Sequence, residues 1–337
     1  MTHTRKMSIS VAICTRERPQ QLERLLASLN RQTRAPEEVL VIDNAPVTTR
    51  TEQLIRERFH ACRYLTEPVQ GLDFARNRAL KECRTNLIAF IDDDAVAAPE
   101  WVEATARVFA ESSNIAACMG RVDALSLETA GARLFEANGG FARGNKRIHL
   151  PPGTGIPPPG WPRPLIAWSI SVGSGVSMAL RRQVALDIGG FDEALDMGNV
   201  LPGGGDLDMI WRLLAVRHEI VYEPLVHAWH EHRRDFDAAE LQILEHNRSL
   251  IAMLMKTMRQ ADPLTRIPVS AYLLWRLVKP AVRILKRLAG CDPLSVRMLG
   301  RLTVATWRGL SAYSAALRLA AVRKSGTGHN LDGGGNS

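Results

Sequence analysis

The sequence lacks the features that would assign it at once to several common classes of protein. It contains no CxxC pair, and its five cysteines are scattered and odd in number, which argues against a disulfide framework and against a structural zinc site. It also contains no run of about 18 or more apolar residues, so no transmembrane helix is predicted. No signal peptide precedes the first strand-like segment, and we therefore expect a cytoplasmic protein.

Acidic residues are scarce in the C-terminal quarter of the chain. Residues 240–325 contain eleven Arg and four Lys against two Glu and two Asp, a local net charge of +11, whereas the whole chain carries +8. The basic excess therefore belongs to one region, and we do not expect the protein as a whole to bind nucleic acid.

The first half of the chain alternates apolar strands with amphipathic helices. Residues 9–15 (ISVAICT) are typical of a buried strand, and the next segment places Leu22, Leu25, Leu26 and Leu29 on one helical face. Further strands are predicted for EEVLVIDN, ACRYLTEP, NLIAFIDDD and NIAACMGRV, and further helices for DFARNRALKEC and WVEATARVFAES, the last with Pro99 in its first turn. This alternation predicts an α/β fold with a mainly parallel central sheet flanked by helices.

Proline divides the rest of the chain. A loop is predicted from about residue 130 to 166, and its proline-rich part, about 150–165, is expected to be a flap or a solvated surface insertion. Residues 240–325 are expected to form a basic helical extension of a domain spanning 1–239, with helix breaks at Pro263, Pro268, Pro280 and Pro293. The polar tail, 326–337, is expected to be disordered.

Three aspartates, Asp92, Asp93 and Asp94, stand side by side at the end of a predicted buried strand. Strand alternation would place Asp92 and Asp94 on one side and Asp93 on the other. Two carboxylates held this close repel each other, and Mg²⁺ or Mn²⁺ is the natural counter-charge for such oxygen ligands. The alternative is a cluster that caps the helix near Pro99, although one aspartate would suffice for that role.

Further polar residues follow the other predicted strands. Thr15 and Arg16 come at the end of the first strand, and Asp43 and Asn44 end the second. Ligands in such sheets bind at the carboxyl ends of the strands, so these residues are expected near the three aspartates. Thr15 and Asp43 would otherwise be ordinary turn residues at strand ends.

Several short motifs occur together and in a characteristic order. They are SVAICTRERP, VIDN, GLDFARNRAL, FIDDDA, GSGVSMALRR, GGFDE, GGGDLDMIWRLL, YEP and WHEHRR. With these motifs the sequence resembles the family 2 glycosyltransferases, which are inverting enzymes of the GT-A fold, over about residues 8–236. The resemblance implies a GT-A domain that binds a nucleoside diphosphate sugar.

The resemblance also implies roles for individual residues at the nucleotide end of the site. The residues implied to line the nucleotide pocket or to approach the phosphates are Thr15, Arg16, Gly71, Arg76 and Asn77. Arg76 could instead be a solvated helix residue. Asp43 would hydrogen-bond the base. Asp94 would be the metal ligand, with Asp92 and Asp93 on the ribose or the metal.

The catalytic base is implied by the resemblance to lie in GGGDLDM, where one carboxylate takes the proton of the acceptor hydroxyl. Asp206 matches the base, and Asp208 is the fallback unless it only stabilises the first turn of its helix. Gly205 stands where many members of the family carry a glutamate, which puts the contacts of that glutamate in doubt. Gly204 and Gly205 would let the acceptor approach the backbone closely, unless they form a plain loop.

Two histidines follow the YEP motif. His230 and His232 stand two residues apart, so an extended segment would aim both side chains to one side. Within the resemblance, His230 completes the metal shell or binds the departing diphosphate. His232 and Arg233 are expected at the phosphates or at the acceptor.

One segment of the basic helical extension has a pattern of its own. Residues 270–290 (SAYLLWRLVKPAVRILKRLAG) interleave apolar residues with five Arg and Lys and contain no acid. Such a segment would either lie on the anionic inner face of the cell membrane, through about residues 267–290, or pack its apolar face on the catalytic domain.

The residues and the resemblance together predict a metal-dependent glycosyltransferase of cell-surface polysaccharide synthesis. It would move a sugar from a nucleoside diphosphate sugar to a hydroxyl of a glycan or lipid-linked acceptor, with UDP favoured because Asp43 fits the imide of uracil. Two alternatives stay open. A sugar-nucleotide nucleotidyltransferase would carry a glycine-rich loop after the first strand, which CTRERPQQL lacks. A catalytically inactive GT-A-like binding protein would not need Asp43, Asp94, Asp206 and His230.

Overall fold

A central sheet with helices packed on both faces forms the body of the protein. The computed structural model describes residues 7–150, 164–196 and 200–331, with side chains up to residue 325. In chain order the elements are β1 (Ile9–Thr15), α1 (Pro19–Leu29), β2 (Glu38–Asn44), α2 (Arg50–Arg58), β3 (Arg63–Glu67), α3 (Leu72–Glu82), β4 (Leu87–Ile91), β5 (Ala95–Ala97), α4 (Trp101–Glu111), β6 (Ile115–Ala124), α5 (Ala130–Ala137), β7 (Ile148–Leu150), α6 (Leu165–Ser171), β8 (Ser177–Arg181), α7 (Arg182–Asp187), α8 (Gly205–Ala215), β9 (Glu219–His230), α9 (Phe236–Gln260), α10 (Pro263–Leu288) and α11 (Val296–Leu331).

The strands of the described residues form one sheet in the order β3-β2-β1-β4-β8-β6-β9-β5, and β7 also pairs with β9. The pairs β1 with β2, β1 with β4 and β2 with β3 are parallel, and so is the pair β6 with β9. By contrast, β8 runs antiparallel to β4 and β6, and β5 and β7 run antiparallel to β9. The predicted α/β fold is confirmed, but the sheet is mixed rather than mainly parallel, because only the first half of the chain keeps the strand, helix, strand order that produces parallel neighbours.

Two apolar clusters cover the two faces of the sheet. One joins Ile13 of β1 to Leu25 of α1 and Trp101 of α4, and the other joins Leu40 of β2 to Leu80 of α3. The leucine face predicted for α1 is buried. Burial of each such side chain contributes roughly 1.5–3 kcal/mol, so apolar packing holds the strands in register and leaves the polar residues at the strand ends.

The registers of the parallel strands align their carboxyl ends. Thr15 of β1 lies opposite Asp43 of β2, and Asp43 lies opposite Thr66 of β3. Strand β4 ends at Ile91, so the three aspartates form a turn between β4 and the short β5, and are not part of the strand itself. Helix α4 begins at Trp101, so Pro99 lies before the helix and not in its first turn.

The loop predicted for residues 130–166 is wrong in part. It contains helix α5, which is capped by the side chain of Thr129, and strand β7, and α6 starts at Leu165. The apolar pattern of these elements is too short to stand out beside the prolines. The proline-rich residues 151–163 lie outside the described residues.

Three long helices make up the C-terminal part, as expected, and the breaks predicted at Pro263 and Pro293 are confirmed, whereas those at Pro268 and Pro280 are wrong. Pro263 begins α10 next to the cap residue Asp262, whereas Pro268 and Pro280 lie inside that helix. Helix α11 continues to Leu331, so a disordered tail from residue 326 is wrong over 326–331. Residues 332–337 lie outside the described residues.

The C-terminal helices pack against the rest of the protein. Trp211 of α8 shares an apolar cluster with Leu254 of α9 and Leu273 of α10, and Phe74 of α3 shares another with Tyr313 of α11. We expected this region either to contact the membrane or to pack on the catalytic domain, and packing is observed for one side of the helices. None of the helices in the described part of the chain is both long and apolar enough to span a membrane.

Candidate active site

A cavity of about 720 Å³ opens at the carboxyl ends of β1, β2 and β4. Loops before α3 and α8 form its floor, and helices α9 and α10 form the opposite wall. The predicted site residues that line it are Thr15, Arg16, Gly71, Arg76, Asp92, Asp93, Asp94, Gly204, Asp206, His230 and Arg233. Those that do not line it are Asp43, Asn77, Gly205, Asp208 and His232.

Asp92, Asp94 and His230 form a cluster that is suited to hold a metal ion. One ligand atom from each lies within 4.8 Å of the others, and Nε2 of His230 lies 3.1 Å from Oδ1 of Asp94. The pairing of β5 with β9 produces this approach, because Ala95 lies directly opposite His230. Two carboxylates and one imidazole form a donor set that Mn²⁺ accepts well and that Mg²⁺ can use with water as its remaining ligands.

The charges in this cluster act strongly on one another. Burial raises the pKa of Asp92 to about 6. Burial acts the same way on Asp94, but the hydrogen bond and charge of His230, together with Arg18, outweigh it and lower the pKa of Asp94 to about 2. The pKa of His230 is raised, because Asp94 and Asp92 outweigh the effect of its burial. The two carboxylates thus favour positive charge at this position.

Asp93 is held by Thr15 and Arg18 and is not part of the Asp92, Asp94 and His230 cluster. Its Oδ2 accepts a hydrogen bond from Oγ1 of Thr15 at 2.7 Å, and its Oδ1 accepts one from Arg18 at 3.1 Å. The same Arg18 nitrogen lies 3.1 Å from Oδ2 of Asp94. Strand alternation does not separate Asp93 from Asp94, because the residues lie in a turn and Arg18 bridges the two carboxylates. Arg18 was missed; its signal is a basic residue directly before the helix that follows β1.

The loop at residues 69–71 is positioned by Asn44 of β2. Nδ2 of Asn44 donates to the carbonyl of Val69 at 2.7 Å, and its Oδ1 accepts from the amide of Gly71 at 2.9 Å. Both Asn44 and Gly71 line the cavity beside Arg16. This end of the cavity therefore has the backbone and polar groups expected of a nucleotide pocket.

Two of the residues that the resemblance assigns to the nucleotide do not point into the cavity. Asp43 is only 1% exposed, its Oδ2 accepts a hydrogen bond from the Tyr64 hydroxyl at 2.9 Å, and burial raises its pKa. The side chain of Asn77 binds both the carbonyl and the amide of Phe191, at 2.9 and 2.8 Å. Asn77 thus holds the GGFDE turn, and Arg76 beside it is buried and not solvated.

Asp206 stands at the start of α8 and faces the cavity. Its Oδ2 accepts a hydrogen bond from the amide of Gly175 at 2.6 Å. Gly204 precedes the helix with φ of 106°, in the left-handed region that favours glycine. The glycine turn and the Gly175 amide together fix the position of the Asp206 carboxylate.

Below the start of α8 lies a buried cluster, the Asp73–Arg76–Asp196 cluster, which the sequence did not reveal. Arg76 lies 3.0 Å from Oδ1 of Asp73 and 3.6 Å from Oδ2 of Asp196, and the amide of Gly205 donates to Oδ2 of Asp196 at 2.8 Å. Burial and the charge of Asp196 raise the pKa of Asp73 well above its usual range.

This cluster explains why residue 205 is glycine. A Cβ atom at Gly205 would lie 1.8 Å from Oδ2 of Asp73 and 2.6 Å from Oδ2 of Asp196. Two carboxylates from other parts of the chain thus fill the space beside position 205, and a glutamate would not fit there.

The structure does not bring Asp208, the fallback base, to the cavity. Its two oxygens lie 2.8 Å from Nε of Arg212 and 2.7 Å from Nζ of Lys256. Lys256 also lies 2.7 Å from Oδ2 of Asp192. Asp208 therefore connects α8 to α9 through a buried ion pair.

His232 lies behind His230. The Nδ1 atoms of the two rings are 3.0 Å apart, so both side chains do point to one side, and Nε2 of His232 lies 2.8 Å from Oε1 of Glu136. His232 thus contacts His230 and does not line the cavity, whereas Arg233 does.

The wall opposite the strands consists of polar and basic side chains from the C-terminal helices. They are Gln242, His246 and Asn247 of α9 and Arg276, Lys279 and Arg283 of α10. The basic residues of α10 were expected on the outer surface. No local pattern distinguishes the side of α10 that faces the cavity, so only the packing of the helix reveals it.

Comparison with known proteins agrees with this architecture. Two solved structures share the fold at 16% sequence identity: the mannosyltransferase PcManGT from Pyrobaculum calidifontis, in complex with GDP-Man and Mn²⁺ (TM-score 0.54, covering 94% of this chain and 86% of the other), and S. aureus TarS 1-349 (TM-score 0.55, covering 92% and 90%). The expected GT-A fold is confirmed.

Curated relatives match over shorter regions. The pre-mycofactocin glycosyltransferase of Mycobacterium tuberculosis is 24% identical over 164 residues, which cover 49% of this chain and 31% of that protein. The amylovoran biosynthesis glycosyltransferase AmsE of Erwinia amylovora is 27% identical over 99 residues, which cover 28% of this chain and 37% of that protein. The matched regions thus span about a third of the length of these relatives. Residues 10–158 match the family model for glycosyl transferase family 2, and over these residues the chain is similar to that family.

Proposed function

We propose that this protein is a metal-dependent, inverting glycosyltransferase that moves a sugar from a nucleoside diphosphate sugar to an acceptor hydroxyl of a glycan or lipid-linked acceptor, in the synthesis of cell-surface polysaccharide. The observation that carries the proposal is that one cavity contains both the Asp92, Asp94 and His230 cluster and the carboxylate of Asp206. A site for a diphosphate and a base for a hydroxyl are thus available to one pair of substrates.

Asp92, Asp94 and His230 would hold Mn²⁺ or Mg²⁺, which supplies positive charge against the diphosphate. Arg18 and Arg233 would face the same phosphates. Asp206 would take the acceptor proton while the acceptor oxygen forms a bond to the anomeric carbon. On the opposite face the bond from that carbon to the diphosphate oxygen breaks, and the nucleoside diphosphate leaves with the bonding electrons.

The donor nucleotide is proposed as UDP, in keeping with an acidic residue at position 43, although Asp43 would have to turn from Tyr64 to reach a base. The related structure with GDP-Man makes GDP-sugars the necessary comparison. A panel of UDP-, GDP- and dTDP-sugars therefore tests the donor directly.

Mn²⁺-dependent hydrolysis of that panel tests the activity. Wild type should release the nucleoside diphosphate from one donor class, and Asp94→Ala and Asp206→Asn should lose this activity about 100-fold or more. Asp237→Asn is the matched control, because that carboxylate is exposed and lies outside the cavity. If no donor is bound or turned over with metal present, the transferase proposal fails. Release of inorganic diphosphate from a nucleoside triphosphate and a sugar phosphate would favour the nucleotidyltransferase instead.

Peripheral membrane contact is proposed for the outer side of α10, within residues 267–290. One helical face there is exposed and apolar: Ile267, Leu274, Trp275, Val278, Leu285 and Leu288. Lys286 and Arg287 lie beside it, as a helix on an anionic surface requires. No helix of the described residues needs to cross the bilayer for this contact.

Vesicle sedimentation tests the contact. Wild type should pellet with vesicles containing anionic lipid, and the double variant Leu274→Gln, Val278→Gln should pellet markedly less. Leu225→Gln is the control, since Leu225 is equally exposed but lies on β9. Equal pelleting of all three proteins, or none by wild type, would refute the contact. Deleting residues 240–337 is unsuitable, because α9 supplies part of the core.

A further inference from the structure

Helix α10 turns basic residues toward the cavity and apolar residues toward solvent. Arg276, Lys279 and Arg283 recur at intervals of three and four residues and line the cavity. On the opposite side Leu274 and Trp275 are 63% and 49% exposed. This orientation is the reverse of an ordinary surface helix, whose cations face water. The inward cations therefore call for a ligand rather than for solvation.

Two of these cations have no carboxylate partner among the described residues. Arg283 is paired with Asp292 at 2.7 Å. Arg276 donates to Oδ1 of Asn247 at 2.9 Å, but its Nε is buried without a hydrogen-bond partner. Lys279 has neither an ion pair nor a hydrogen bond in the part of the chain described. Burial, together with the charges of Arg276 and Arg283, lowers the pKa of Lys279 to about 8.

A third cation lies in the same cavity. Arg143 donates only to backbone carbonyls, those of Gly140 and Ala142, at 3.1 and 3.2 Å. Burial lowers the pKa of Arg143, although Tyr222, Glu136 and Asp206 act in the opposite direction without forming an ion pair with it in the part of the chain described. A buried cation without a counter-charge is costly, and an anion with several oxygens would satisfy these donors together.

The cations of α10 have different charged neighbours from those of the metal cluster. Arg233 acts on Asp94 and His230, and Arg143 interacts with Asp206. The charged groups that act on Arg276 and Lys279, in contrast, lie in α10 itself and at Asp292. The cations of α10 thus belong to the wall formed by the C-terminal helices, whereas the metal cluster stands at the strand ends.

We propose that Arg276 and Lys279, assisted by Arg143, bind a phosphate group of the acceptor, so that the acceptor substrate is a phosphate ester. The proposal rests on the function proposed above, because it assigns the metal end of the same cavity to the donor diphosphate. Such a site would select acceptors by charge, and no step of the sugar transfer requires the α10 cations.

The outward face of α10 favours an ester with an apolar tail over free phosphate. A phosphate bound between α10 and Asp206 would lie one helix thickness from the exposed leucines and Trp275, about 10 Å. A lipid-linked acceptor on a membrane surface would therefore reach the cavity with its phosphate while its tail stays on the apolar side. Free inorganic phosphate has the same head chemistry, and the experiment separates the two.

Calorimetric titration with octyl phosphate and with inorganic phosphate tests the site at about pH 7, with Mg²⁺ and the nucleoside diphosphate identified in the donor panel. Wild type should bind octyl phosphate more tightly than inorganic phosphate. Arg276→Gln and Lys279→Gln should each weaken octyl phosphate binding about tenfold or more, as expected for a lost charge-assisted hydrogen bond. Arg266→Gln, which is exposed on the same helix and outside the cavity, is the control and should change binding less than about twofold.

Four results would overturn the proposal. The first three are absence of octyl phosphate binding by wild type, equal weakening by Arg266→Gln, and tighter binding of inorganic phosphate. The fourth is an equally large loss of nucleoside diphosphate affinity in the Lys279 variant, which would place these cations at the donor. If no nucleoside diphosphate binds at all, the proposed function fails, and the same titrations with Mg²⁺ alone still test the phosphate site.

Discussion

Replacing Gly205 with alanine tests the account of the Asp73–Arg76–Asp196 cluster. Within a helix this change normally stabilises a protein by about 0.5–1 kcal/mol. Here the new Cβ would meet Asp73 Oδ2 at 1.8 Å and Asp196 Oδ2 at 2.6 Å. Neither carboxylate can swing into solvent, since they are 0% and 8% exposed and Arg76 contacts both. Overpacking of this kind costs about 1–3 kcal/mol, so we expect a net loss of about 1–2 kcal/mol.

Urea unfolding followed by tryptophan fluorescence measures this loss as a shift in the midpoint. Gly300→Ala is the matched control, because Gly300 lies in α11 and a methyl group added there would meet no atom within 4 Å; that variant should gain up to about 1 kcal/mol. The Asp73→Ala background should reduce the penalty of Gly205→Ala, which a double-mutant cycle would detect. If Gly205→Ala is as stable as Gly300→Ala, the carboxylates do not fill the space beside position 205.

Three further predictions concern the metal cluster, the Asp208 ion pair and the α10 cations. Asp94→Ala should weaken Mn²⁺ binding at least about tenfold in a titration of the purified protein, because one of three ligands is lost; unchanged binding would move the metal elsewhere. Lys256→Met should lower the free energy of unfolding by about 3–5 kcal/mol, because Asp208 and Asp192 would lose their buried partner, and the urea midpoint would report it. Octyl phosphate binding should weaken above about pH 8 as Lys279 loses its proton, whereas the Lys279→Arg variant should keep its binding there. The charged groups that act on Lys279 are Arg276, Arg283, Lys286 and Asp292. Parallel pH profiles of the two proteins would contradict this assignment.

Much of the metal cluster could be predicted from the sequence because its signals are local. Three consecutive acids after an apolar strand indicate a cation site, and two histidines at a spacing of two indicate a shared direction. The structure adds the long-range pairing of β5 with β9, which brings His230 to Asp94. The resemblance to a family supplied the expectation that these distant motifs meet.

The misplaced residues share a different cause. Asp43 and Asp208 carry the expected chemistry at the expected positions in the chain, yet Tyr64 holds one and Lys256 the other away from the cavity. Their partners lie 21 and 48 residues away, so no local pattern reveals them. Asp73 and Asp196 were missed for the same reason, because each is an ordinary acid until the fold brings both to Gly205.

Strand alternation, helical periodicity and charge are properties of neighbouring residues, so the α/β pattern, the acids after β4 and the basic character of the C-terminal helices can be predicted from the chain alone. The side of α10 that faces the cavity and the acids that reach it become clear only from the fold. Those outcomes depend on contacts between residues far apart in the chain, where burial and the nearest opposite charge select the partner of each side chain.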